Sequence, residues 1–222
     1  MTGSVRLRRR SDYLSMPWRN GAGVTLEIAR DAPSNVEFQW RLSMATLSAS
    51  GPFSIYPGYR RSVTLVGGDG FRLDIDHRGS AVLDAVGATS FFPGEVATAC
   101  TLLGGECRDL SLMVREPGKI ISVMSTESRE RGELPINAAA MNAIFCLDGA
   151  VEVSGHSADG GSDRADARTI EEFTMEELAM HDTLLLGPAS TRWAARPSSS
   201  GPALLLLLAW TPAGGYSTTN RL

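Results

Sequence analysis

Apolar and polar residues alternate along most of this chain with a period of two, the signature of half-buried strands and not of helices. In TLEIAR, Leu26 and Ile28 fall on one face and Thr25 and Glu27 on the other. In FRLDIDH, Phe71, Leu73 and Ile75 point one way, and Arg72, Asp74 and Asp76 the other. FQWRLSMATL, RSVTLVGG, AVLDAV, DLSLMVR, KIISVMS, NAIFCLDGAVEVSG, DTLLLG and ALLLLLAW read the same way. Turn signals separate them: GGDG, HRGS, FPGE, LGGE, EPGK, LDGA, GPAS and RPSSSGP. TMEELAM is the single helix candidate.

Many short strands with Gly/Pro punctuation predict an all-β sandwich or barrel. The pattern also repeats weakly: strand, glycine turn, strand, loop, acidic turn, strand. Two β-barrel halves are expected, residues 1–116 and 117–222, meeting near Glu116–Lys119. HSADGGSDRADAR, from His156 to Arg168, lacks periodicity and reads as a mobile loop.

The net charge of −4 offers no global field for nucleic acid, and Arg6, Arg8, Arg9 and Arg10 read as a solvated edge strand or tail. Three cysteines without CxxC spacing (Cys100, Cys107, Cys146) read as buried small hydrophobes. No apolar stretch follows the N-terminal arginines, and the longest apolar run, Ala203 to Trp210, is far below the roughly 18 residues of a membrane span. A cytoplasmic protein without nucleic-acid or membrane partners is expected.

The glycines of MPWRNGAGVTLEIAR do not make a phosphate loop. Leu26 stands where the third glycine of G-x-G-x-x-G belongs, and a strand follows instead of a helix. No histidine of the three (His77, His156, His181) lies two residues from another, so the paired ligands of a metal-binding barrel are missing. Asp74, Asp76 and Gly79 only begin a calcium loop. Neither metal nor cofactor is expected, and no nucleophile elbow appears. What remains is Arg60-Arg61 at a strand start beside Tyr56 and Tyr59. Neighbours on a strand face opposite ways, so one of the two must point inward, where it needs an anion. The ordinary alternative is an arginine snorkelling from the sheet or paired with Glu27.

MPWRNGAGVTLEIA, FQWRLSMATLSASGPFSIYPGYRRSVTLVGGDGFRLDI and FPGEVATACTLLGGECRDLSLMVR together resemble the HutD/Ves family. Its members share P-W-x-N-G-G-G-x-T-x-E-I, W-R-x-S-x-A, G-P-F-S-x-x-P-G-x-x-R and late G-x-x-x-D-x-N-x-M blocks. The resemblance spans residues 13 to about 115. It implies a bicupin, two small jelly-roll β-barrels in one chain, usually without the cupin metal ligands. It also implies a regulator of histidine utilisation that binds a small acidic intermediate such as formylglutamate, formiminoglutamate or urocanate. Carried over by motif, the ligand pocket comprises Trp18, Asn20, Gly21, Gly23, Thr25, Glu27, Trp40, Arg41, Ser43 and Arg61, with Arg61 as carboxylate anchor. Bicupins are often dimers, so a homodimer is a further expectation. Three residues depart from the pattern: Ala22 for the middle glycine, Arg60 where an acid is frequent, and Ser111 for asparagine. The competing class is a metal-independent isomerase or hydrolase acting on a small carboxylate, with Glu27 or His77 as general base.

Overall fold

The computed structural model describes residues 5–18, 23–33, 36–157, 173–188, 191–198 and 201–213. Its strands in chain order are β1 (Val5–Arg8), β2 (Leu14–Pro17), β3 (Gly23–Arg30), β4 (Trp40–Leu47), β5 (Gly51–Pro52) and β6 (Tyr59–Gly67). Next come β7 (Phe71–Ile75), β8 (Gly79–Leu83), β9 (Thr89–Pro93), β10 (Thr98–Leu102), β11 (Cys107–Arg115), β12 (Lys119–Ser128) and β13 (Gly132–Leu134). The last are β14 (Met141–Asp148), β15 (Ala150–Ser157), β16 (Phe173–Ala179), β17 (Thr183–Leu186), β18 (Thr191–Pro197) and β19 (Ala203–Thr211). One 3-10 turn, Arg10–Asp12, is the only helical element among the described residues.

The chain divides into two compact units. Among the described residues, one comprises 11–123 and 210–213, the other 5–10 and 124–209. In the first, a six-stranded sheet (β2-β3-β4-β11-β6-β9) accompanies a four-stranded one (β5-β10-β7-β8). Period two does the work expected of it: Phe71 and Leu73 are fully buried and Ile75 nearly so, while Arg72 is exposed. These side chains join Leu47, Val63, Leu65, Phe92, Cys100 and Cys107 in one apolar core. Each large side chain fully withdrawn there contributes about 1.5–3 kcal/mol.

The second unit pairs a five-stranded sheet (β1-β17-β14-β19-β12) with a four-stranded one (β13-β18-β15-β16). Its core gathers Ile144, Cys146, Val151, Val153, Leu178, Leu184, Trp193 and Leu205. The basic N-terminal cluster is partly an edge strand, since Arg6 and Arg8 lie on β1, which pairs with β17. Arg9 then forms an ion pair with Asp182 at 2.9 Å.

Two local expectations are corrected. TMEELAM is not helical; all but its last residue lies in β16, antiparallel to β15 with Leu178 opposite Val151. Met, Glu and Leu favour a helix only weakly, and burial of Leu178 in the core outweighs that preference. His156 belongs to β15, opposite Arg192, and not to a loop; the rest of the stretch expected to be mobile lies outside the described residues. All three cysteines are free and buried. Burial pushes the Cys100 and Cys146 thiols up to about 12. Among the described residues no helix is long and apolar enough to cross a membrane.

Candidate functional site

Strand register decides which side chains meet on the inner face of the six-stranded sheet. Residues directly opposite across a ladder share a face, and those two apart along a strand do so too. Arg41 on β4 lies opposite Met113 on β11, Met113 opposite Arg61 on β6, and Arg61 opposite Phe92 on β9. The next row runs Glu27, Ser43, Ser111 and Val63. The third runs Thr25, Ala45, Asp109 and Leu65. Two cations therefore stand in one row, the Glu27 carboxyl and two hydroxyls in the next, and the Thr25 hydroxyl and the Asp109 carboxyl in the third.

This face lines a cavity of about 600 Å³ whose other walls are Met16–Trp18 and Pro52, Phe53, Ser54 and Tyr56. Gly23 explains how Trp18 reaches it. A Cβ at Gly23 would stand 2.3 Å from the Thr46 carbonyl oxygen and 2.9 Å from the Trp18 ring, so only glycine lets both come this close. Trp18 Nε1 then donates to Thr25 Oγ1 at 2.8 Å, which fixes the indole at the cavity wall.

Arg61 is 8% exposed. Its Cζ lies 5.2 Å from the Phe53 ring centre, 5.1 Å from that of Phe92 and 5.7 Å from that of Tyr56. One terminal nitrogen donates to the Ser54 carbonyl oxygen at 3.0 Å, but Nε is buried without a hydrogen-bond partner among the described residues. Burial lowers its pKa, opposed by the charge of Asp109. Asp109 is 3% exposed, and burial pushes its carboxyl up to about 7 against the pull of Arg61. Ser111 Oγ, between them in register, is likewise buried and unpartnered among the described residues.

Five of the expected residues thus meet at one cavity: Trp18, Thr25, Arg41, Ser43 and Arg61. Gly23 supports it from behind the indole. Arg60 faces out and pairs with Glu116 at 2.6 Å, which resolves the choice between neighbouring arginines. Glu27 does not line the cavity. Its carboxylate lies 2.8 Å from Arg41 Nε and 3.7 Å from an Arg30 terminal nitrogen, so it steadies Arg41. The 2.8 Å contact is an ion pair without hydrogen-bond alignment, because that Nε counts no hydrogen-bond partner. Trp40 is misplaced by the sequence reading. Alternation turns it to the opposite face from Arg41, where it is 2% exposed and packs on Trp210 at 5.0 Å. Asn20 and Gly21, with Ala22, lie outside the described residues.

The sequence reading missed Asp109, Met113, Phe53 and, as a wall, Ser111. For Asp109, Ser111 and Met113 the signal was present in DLSLM, where they recur at every second position. Leu110 and Leu112 on the other face are also buried, so alternation could not tell which face held the cavity. Among the described residues, no group of three or more His, Cys, Asp or Glu side chains is placed to hold a metal ion.

Paired antiparallel sheets in each unit define the class of this protein as a cupin-type all-β fold. A Bacillus subtilis oxalate decarboxylase shares that fold, with a TM-score of 0.63 at 10% identity over 91% of this chain and 76% of that one. The HutD family model matches residues 10–199, and the chain belongs to the HutD family, which is associated with histidine utilisation. An uncharacterized protein of the hutC 3′ region of Pseudomonas putida is 44% identical over 110 residues. That match takes in 49% of this chain and 57% of the relative, so the chain spans little more than half the length of that protein. A conserved protein of unknown function from Pseudomonas aeruginosa superposes with a TM-score of 0.78 at 29% identity, covering 93% of this chain and 98% of the other. HutD from Pseudomonas fluorescens, solved in a formate condition, gives 0.67 at 27% identity, covering 93% and 99%.

Proposed function

We propose that this protein binds a small carboxylic acid beside Arg61 and regulates histidine utilisation by sensing an acidic intermediate: formylglutamate, formiminoglutamate or urocanate. The observation that carries this reading is the Arg61 guanidinium, almost wholly withdrawn from water, framed by three aromatic rings and holding an unpartnered Nε. A planar cation kept dry in a cavity offers a carboxylate two parallel charge-assisted hydrogen bonds, stronger than the same contact in water. Arg41 adds a second positive charge in the same row, and Ser43 and Ser111 add hydroxyls. The volume lies within the range of about 300–1,000 Å³ common for small-molecule sites. A cytoplasmic location, with no nucleic-acid or membrane partner, goes with this role.

The test is a thermal-shift series with the three acids on the unaltered protein and on Arg61→Ala. A ligand that binds only the native state stabilises it by about 2.7 kcal/mol at a hundredfold excess over Kd. The expected result is a concentration-dependent rise for at least one acid that vanishes in the variant. No rise with any acid, or an equal rise in the variant, overturns the reading. The enzyme reading has less support in its named bases. The His77 side chain is 92% exposed on a hairpin turn, and Glu27 is held by two arginines. Turnover of a pathway acid that Glu27→Gln abolishes would restore it.

A further inference from the structure

The cavity is polarised, and one end of it plays no part in holding a carboxylate. Arg41 and Arg61 form the cationic end. Asp109 lies four residues along β11 from Met113, the residue opposite both arginines. At about 3.3 Å rise per residue the two ends are about 13 Å apart along the backbone. No ion pair joins Asp109 to Arg61 among the described residues, so the acid is not simply the structural partner of the cation. Ser111, with its unpartnered hydroxyl, lies midway. A ligand carboxylate at Arg61 would thus direct its far end toward Asp109.

Resting on the reading of this cavity as an acid-binding site, we propose that Asp109 is its specificity residue. It takes up a proton with the ligand and donates a hydrogen bond to an uncharged carbonyl at the ligand's far end. The site then selects a carboxylate that carries a neutral acyl group over one that carries a cationic group there.

The electrostatics run in that direction. Burial already disfavours the carboxylate form of Asp109, and the charge of Arg61 is what opposes it. A bound anion spends that charge on itself, so the last support for ionised Asp109 weakens and protonation follows. The charged and titratable groups around Asp109 are Arg61 on β6, Arg41 on β4, Glu27 on β3, Tyr56 after β5, and Cys100 on β10. Cys107, two residues away on β11, shares its face. All of these groups are retained in Asp109→Asn, and the variant removes the one carboxyl together with its pull on Arg61 and Cys100.

N-formyl-L-glutamate and N-formimino-L-glutamate are the probes, because they share a skeleton and differ in a neutral carbonyl against a cationic amidinium. Titration calorimetry between pH 6 and 8.5, in two buffers of different ionisation enthalpy, reads affinity and proton exchange together. For the formyl compound, Kd is expected to rise close to tenfold between pH 7.5 and 8.5. Close to one proton should be taken up per ligand at pH 8, and Asp109→Asn should bind with neither slope nor uptake. The formimino compound should not weaken over the same interval. The proton count needs no variant, so it remains decisive if Asp109→Asn does not fold. A flat affinity without proton uptake, or a slope that persists in Asp109→Asn, removes Asp109 from recognition and leaves the Arg61 site standing. No binding of either compound at any pH overturns this proposal, and if urocanate also fails to bind, the acid-binding reading falls with it.

Discussion

Ser111 and Asp109 are poorly chosen side chains for a structure that only has to be stable. A buried hydroxyl without a partner costs about 1–3 kcal/mol of desolvation. Ser111→Ala is therefore expected to leave urea stability unchanged or raise it by up to about 1 kcal/mol, while weakening acid binding. A clear loss of stability would mean the hydroxyl has a structural role. For Asp109 the sign follows from its raised pKa. The fold holds the proton more tightly than the unfolded chain does, so the stabilisation is complete below about pH 4 and is lost as pH rises through about 7. Without ligand, Asp109→Asn should melt higher than the parent at pH 8, with the difference gone near pH 4. Gly23→Ala should cost about 1–3 kcal/mol, because the close contact is with the Thr46 backbone and not a movable side-chain tip.

At the scale of elements, what was legible is what period two encodes. FRLDI became a strand with alternate burial, because that pattern is local information. TLEIAR and RSVTLV are strands too, but Glu27 is buried beside Ile28 and RSVTLV is buried on both faces. That one of two adjacent arginines points inward was legible from the same local pattern; alternation did not say which, and it is Arg61 that is buried. Register was not legible. The shift between Glu27 and Ala29 on β3 depends on pairing with β4, and no spacing in the sequence announces it. Nor could alternation reveal that Trp40 and Leu42, like Ser43, would be buried, because both faces of β4 are covered. β16 failed where local propensity opposed tertiary pairing. Its strand character predicts that Leu178→Ala, fully buried, costs about 2–5 kcal/mol in urea titration. Met180→Ala, at a half-exposed position just beyond the strand, should stay within about 0.5 kcal/mol.

For the whole molecule, the expected halves of 1–116 and 117–222 rested on weak internal repetition, which carries no information about long-range strand pairing. The long-range pairing of β1 with β17 brings the N-terminal strand into the unit of the later sequence. The candidate cavity is built entirely within the unit of Ser11–Val123. The free thiols happen to be shared out in the same way: Cys100 and Cys107 lie in the core of the cavity-bearing unit, Cys146 in the other. Buried and, for Cys100 and Cys146, strongly disfavoured as thiolates, they should resist alkylation until their surroundings open. They are thus native clocks of local unfolding, one set for each unit. Pulse alkylation read by mass spectrometry should show a bound acid slowing Cys100 and Cys107 more than Cys146. Equal slowing of all three would mean that the chain opens as one body, and that a ligand in one unit guards the other.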